Sequence, residues 1–397
     1  MPTTGIIAEY NPFHRGHMWQ IAEIKRRLGA GTAIVACMSG NFVQRGDFAV
    51  VNKFARAEMA LAGGADLVLE LPTPWSAAAA ERFAQGGAAL LKASGVVTHL
   101  AFGCECGSPE PLLAAAEGLE SSAYQEKLRE LTDTGISFAA ARQRALLGIT
   151  GAAECLSAPN NALAVEYLRA LKALNAGMEP LALPRTGAGH DSLVDSVCPS
   201  AGAVRKMLAE NGDWQKFLPE ASAVILSREI AAGRGPVRLE NCQRAVLSQL
   251  RRMDEEEFRV YDGGGEGLYH RFFAAVRMAS DCSEILRLAK TKRYPLARLR
   301  RMLLHCYLGV PQAAQGETPS YIRVLGANAR GRALLAEMRK SASLPVVTKP
   351  GHIRRLPPDV QRSFRQEARC TDLYSLAYPD GRQSVPDAEY RSSPVIR

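Results

Sequence analysis

Apolar and polar positions in the first half of the chain alternate between two periods. Near-continuous apolar runs at Thr4–Glu9, Thr32–Met38, Asp66–Leu71 and Thr98–Gly103 read as strands buried on both faces. Between them, Met18–Leu28, Lys53–Leu61 and Ala77–Ala93 repeat apolar residues at helical spacing. This alternation predicts a parallel sheet covered on both sides, and right-handed crossovers make it Rossmann-like. Helices are predicted over Pro109–Leu147 and Asn160–Leu174. Pro180–Pro184 reads as a fifth strand, which its flanking prolines confine to an edge. Ser200–Leu208 reads as a helix with Ser200 at its N-cap.

From about Asp213 the pattern becomes mainly helical and rich in Arg and Leu, with Glu240–Arg252, Gly267–Met278, Cys282–Leu288 and Pro295–Leu308 as helices. From about Leu344, Pro, Arg and Ser increase around one apolar patch, Thr371–Tyr378, and the last fifteen or so residues predict a frayed tail. The expected organisation is an α/β nucleotide-handling domain over 1–212, a helical basic domain over 213–345 and an extension over 346–397. A chain of 397 residues has ample core for this. The net charge of +9 favours a polyanionic partner. No apolar run approaches the ~20 residues of a membrane span. With no visible signal peptide and nine scattered cysteines, a reducing cytoplasm is expected.

The chemistry concentrates after the first strand, in Tyr10-Asn11-Pro12-Phe13-His14-Arg15-Gly16-His17. A strand, a tight His-x-Gly-His turn and a helix form an ATP-handling site. Gly16 lets a nucleotide approach the backbone, and the helix start offers unpaired N–H groups to phosphate. His14 and His17 can donate to an α-phosphate under attack, so catalysis rests on positioning and charge stabilisation. The competing readings are a surface turn and half of a zinc site, but no third ligand stands nearby. No metal site is expected.

Other candidates sit where strands end. Met38 to Gly46 forms a polar loop in which Ser39, Gln44 and Arg45 suit a small acid or a ribose, and Lys53 and Arg56 open the next helix, where a bound anion would explain them. Gly103 ends strand four, Asn160 and Asn161 open a helix, and Arg185 follows strand five. Ser200 and Arg205 lie at a second helix start. His190-Asp191 reads as a solvated loop pair. Lys290, Lys292, Arg293, Arg298, Arg300 and Arg301 surround Tyr294 and suit an RNA backbone. Arg298, Arg301 and His305 are expected on the polar side of that helix, and Arg323, Arg330 and Arg332 add positive charge.

These blocks together resemble the bacterial tRNA(Met) cytidine acetate ligases, a branch of the His-x-Gly-His nucleotidyltransferases. The resemblance runs nearly end to end and rests most on Glu9 to His14 with Gly16 and His17, on Met38 to Gly46, and on Asp66 to Pro72. It implies that ATP, with Mg2+, and acetate form acetyl-adenylate, and that the wobble cytidine of elongator tRNA(Met) takes the acetyl group on its exocyclic amine. It implies ATP contacts from Ile7, Ala8, Glu9, Tyr10, Asn11, Pro12, Phe13, His14, Arg15, Gly16, His17, Met18, Trp19 and Gln20. Gly103, Asn160, Arg185 and Thr186 are implied as further ATP contacts; Asn161, Ser200 and Arg205 join the candidates as their neighbours at helix starts. Two departures stand out: Gly202 where the family usually has threonine, and Cys104 where it has serine after Phe102-Gly103.

Two rivals remain at this level. A nucleotidyltransferase adenylating a small metabolite leaves the Arg-rich half idle. A non-catalytic RNA-binding protein on the same scaffold wastes both histidines. Acetate-dependent pyrophosphate release separates the ligase from either.

Overall fold

The five apolar runs become five parallel strands joined by helices, four of them largely buried and the fifth partly exposed at the sheet edge. A computed structural model describes residues 2–397 except Gly107, Ser137, 185–199, Asn211, 264–266 and Glu317. The strands are β1 (Thr3–Ala8), β2 (Ala33–Ser39), the hairpin β3 (Phe42–Val43) and β4 (Asp47–Phe48), β5 (Leu67–Leu71), β6 (His99–Cys104), β7 (Glu179–Pro184), β8 (Ile322–Ala327), β9 (Val346–Val347) and β10 (Val395–Ile396). The main sheet runs β10-β8-β5-β2-β1-β6-β7. From β5 to β7 all pairs are parallel, and the order reverses between β1 and β6. β7 is the edge strand that its prolines require.

The other side of the sheet corrects two expectations. β8 comes from the basic half of the chain and pairs antiparallel with β5. Its Arg323 is fully buried and bonded to Glu389, so it adds no surface charge. The tail is not frayed: β10 pairs with β8, and Glu389 just before it is buried. The Pro109–Leu147 stretch divides into three helices, Glu110–Gly118, Ser122–Asp133 and Phe138–Leu147. The apolar patch from Thr371 ends an eighteen-residue helix, Pro358–Ser375.

One apolar core fills each face of the sheet, and a third lies among the helices after residue 236. That third core also takes in Phe42 and Phe48 of the hairpin, together with Tyr307 and Tyr374. The Tyr374 hydroxyl donates to the Ala49 carbonyl at 2.7 Å. The loop after β2 is therefore held by the helical region as well as by the sheet. Among the described residues, no helix is long and apolar enough to cross a membrane.

His305 is not on the polar side of its helix, Leu296–Leu308, but buried in this core. Burial, reinforced by the nearby Arg301 charge, pulls its pKa from 6.5 down to about 4. The folded value lies below the unfolded one, so stability is full above about 6.5 and is lost as pH falls toward 4. The loss is on the order of 3 kcal/mol at about 1.4 kcal/mol per unit. Urea titrations at pH 7 and 4.5 should show a larger loss for the natural chain than for His305→Leu. Equal losses would contradict the burial argument.

Candidate functional site

The site forms where the sheet order reverses, at the C-terminal ends of β1 and β6, which is where open α/β sheets bind ligands. After β1 the chain turns sharply. Tyr10 has a positive φ of 46° and Asn11-Pro12 is cis. His14 then caps α1 (Arg15–Leu28). Its Nδ1 accepts the Gly16 N–H at 3.0 Å, and the His17 Nδ1 accepts the His14 N–H at 3.2 Å. This reciprocal cap starts the helix three residues earlier than the apolar pattern predicts. It also fixes the tautomers, because a ring that accepts at Nδ1 carries its hydrogen on Nε2. The two rings stack with centroids 3.8 Å apart, and Tyr10 packs edge-on against His17.

Gly16 also serves the cap itself: a Cβ there would stand 2.9 Å from the His14 ring.

A cleft of about 330 Å³ opens over this turn. It brings together Ile7, Ala8, Glu9, Tyr10, Asn11, His14, His17 and Gln20 from the first segment. Gln44 and Arg45 of the hairpin, Gly103, Asn160, Ser200 and Arg205 complete the expected residues along it. The Gln44 N–H donates to the Glu9 carboxylate at 3.0 Å, and Arg205 donates to the Asn11 carbonyl at 2.8 Å. Ser200 caps its helix by accepting the Ala203 N–H, and Gly202 lines the cleft beside it. Glu105 receives the N–H groups of Asn160 and Asn161 at the start of the helix Pro159–Ala173. Arg185, Thr186, His190 and Asp191 lie outside the described residues.

Several candidates do not reach this cleft. Phe13 is buried beneath Gly63, while Arg15, Met18 and Trp19 are exposed outside the lining. Pro12 is spent on the cis turn. Asn161 is buried and accepts the Glu105 N–H through its side chain. Ser39 is buried below the loop. Lys53 needs no bound anion. It is fully buried, with Nζ 2.6 Å from Glu70 and 2.7 Å from Glu389.

Arg56 serves the site indirectly. Burial lowers its pKa to about 10, and its donors go to the carbonyls of Val51, Glu9, Ser39 and Gly40. It thereby ties the ends of β1 and β2 together from below. The apolar wall of the cleft, with Phe83, Phe102, Leu163 and Tyr167, was also missed. In sequence these residues look like ordinary core positions of helices and strands.

The six basic candidates separate into two groups. Lys290, Lys292 and Arg293 are exposed. Arg298 pairs with Asp262 at 3.2 Å and lies over the Tyr294 ring. Arg300 lines a second cleft, and Arg301 is half-buried, donating to the Gln44 carbonyl at 3.4 Å. Burial, with Arg298 close by, lowers the Arg301 pKa to about 10.

Comparison with known proteins places this geometry among its relatives. Residues 1–388 match the model of the family described as HIGH Nucleotidyl Transferase. The chain is 37% identical to the tRNA(Met) cytidine acetate ligase of Caldanaerobacter subterraneus subsp. tengcongensis, over 95% of this chain and 96% of that one. It is 36% identical to the protein of the same name from Acetivibrio thermocellus, over the full length of both. The crystal structure of apo Thermotoga maritima TmcAL superposes with a TM-score of 0.94 at 33% identity, covering 100% and 99% of the two chains. The same protein bound with alpha-thio ATP superposes with a TM-score of 0.92 at 34% identity and the same coverage.

Proposed function

Because the chain belongs to the tRNA(Met) cytidine acetate ligases within the HIGH nucleotidyl transferases, we propose that it is an ATP-dependent ligase that joins acetate to a cytidine of tRNA(Met). The observation that carries the reading is the pair of capped, stacked histidines lining a cleft at the switch point of the sheet. In this reading ATP lies with its adenine against Gly103 and the apolar wall, and its α-phosphate faces the Nε2–H groups of His14 and His17. Acetate attacks that phosphate, pyrophosphate leaves, and acetyl-adenylate forms. The exocyclic amine of the wobble cytidine of elongator tRNA(Met) then takes the acetyl group and AMP departs. The protein contributes orientation and fixed donors rather than a covalent intermediate.

Mg2+ would be brought by the nucleotide. Glu9 is the one carboxylate among the described residues along the cleft, which suits an ion carried mainly by substrate phosphates and water. Bound there, it would neutralise charge on the phosphates.

The organisation proposed for the chain assigns the cleft to residues 1–212, RNA contact to 213–345 and support of the hairpin to 346–397. Lys290, Lys292 and Arg293 carry the RNA contact most simply, since they are exposed. Incubation with ATP, labelled acetate and elongator tRNA(Met), followed by nucleoside analysis, should give labelled acetylcytidine. Changing all three residues to Glu should weaken tRNA binding and flatten its log–log salt dependence by roughly 0.7 to 0.9 per lost contact. Pyrophosphate release without tRNA should persist. Label in no nucleoside would overturn the function, and an unchanged salt slope would move the RNA contact elsewhere.

A further inference from the structure

The β3–β4 hairpin borders two clefts. Gln44 and Arg45 line the one described above, whereas Gly46, Asp47 and Phe48 line a second of about 270 Å³. Arg205 lines both, so the two are neighbours. The second cleft combines three kinds of group. Phe48, Leu286 and Leu303 supply apolar wall, Arg238 and Arg300 supply cations, and Asp47 and Glu240 supply carboxylates, Asp47 being the one on the hairpin that both clefts share. Asp47 Oδ1 accepts the Phe48 N–H at 2.8 Å. The hairpin is rigidly seated: Gly46 has a φ of +75°, and a Cβ there would stand 2.4 Å from the Arg301 backbone.

That combination matches an extruded nucleobase. Enzymes that act on a base hold its face between apolar side chains, read its edge by hydrogen bonds and meet the flanking phosphates with cations. A carboxylate complements the exocyclic amine of cytosine and repels the carbonyl oxygen that uracil has at the same position. We propose that the second cleft receives the cytosine that accepts the acetyl group, with Asp47 as the residue that selects cytosine over uracil. The inference rests on the ligase reading above and adds to it a place for the acceptor base. Arg205, shared by both clefts, then stands between the adenylate and the amine that attacks it.

Asp47→Asn gives a specific test. Asn keeps Oδ1 for the Phe48 N–H and turns the other atom into a donor, which matches uracil and opposes the cytosine amine. Affinity would be measured for full-length elongator tRNA(Met) transcripts with cytidine or uridine at the wobble position, alongside acetate-dependent pyrophosphate exchange. The natural chain should prefer cytidine by about tenfold or more, the scale of one good base-edge contact. The variant should lose or reverse that preference while exchange stays within about twofold. An unchanged preference, or loss of exchange together with tRNA binding, overturns the inference. In the natural chain, a transcript with 5-iodocytidine at the wobble position should crosslink to the hairpin strand around Phe48 or to the segment Pro236–Glu240. Crosslinks confined to other segments also overturn it. A natural chain that acetylates tRNA but crosslinks elsewhere loses only this inference, whereas one that does not acetylate tRNA at all loses the ligase reading with it.

Discussion

His17→Ala is expected to lower acetate-dependent ATP–pyrophosphate exchange by about a hundredfold or more in a protein that remains folded. The expectation comes from the reciprocal cap. The Gly16 N–H occupies the His14 Nδ1 and the His14 N–H occupies the His17 Nδ1, so both rings keep a hydrogen on Nε2 in a fixed orientation. The stack at 3.8 Å and the Tyr10 edge hold that orientation before any ligand arrives. Losing one such preorganised donor costs on the order of a hundred- to a thousandfold in rate. Losing the half of the cap that His17 supplies costs about 1 kcal/mol, which is too little to unfold a chain of this size. Exchange rates measured beside a thermal melt separate the two effects. A folded variant retaining exchange within about threefold would remove the imidazole from the reaction.

Lys53→Met is expected to have the largest effect on stability, a loss of about 3–5 kcal/mol at neutral pH and above. Removing one partner of a buried ion pair leaves the other charge without compensation. Lys53 is the cation between Glu70 and Glu389, all three buried, and Glu367 lies close enough to add to the same field. Burial already raises the Glu70 pKa to about 8 against the pull of Lys53. Its folded value exceeds the ordinary 4.5, so its ionisation costs stability as pH rises from that range through 8. Without Lys53 that carboxyl would hold its proton to still higher pH, so the gap between natural chain and variant should be steady below about pH 8 and widen from pH 8 to 9. Urea unfolding at both pH values checks this, and a gap below about 1 kcal/mol at each would refute it.

The parts of the fold that were readable from sequence are those set by local periodicity. All five parallel strands lie within a residue or two of their apolar runs, and the turn that holds His14 and His17 lies where the first strand ends. What escaped depends on partners distant in the chain. Arg323 sits in an apolar run, Tyr321 to Gly326, but only the presence of Glu389 tells a buried arginine from a surface one. Lys53 at a helix start looks like an anion ligand until Glu70 and Glu389 are known to face it. The Val395–Ile396 strand has no pattern long enough to detect. Phe83 and Tyr167 belong to the core and also line the cleft, a second role that helical spacing alone does not reveal.

The strand β8 has a consequence for how the molecule is made. Asn328 at its end donates to the Asp66 side chain at 2.9 Å, a contact that spans 262 residues. During translation β5 leaves the ribosome long before the strand that covers it. Until then its outer backbone groups face solvent, the condition in which strands pair with the wrong chain. The residues that line the histidine cleft are all synthesised by Arg205, but the nascent chain must keep one side of its sheet unpaired until most of its helices have been synthesised.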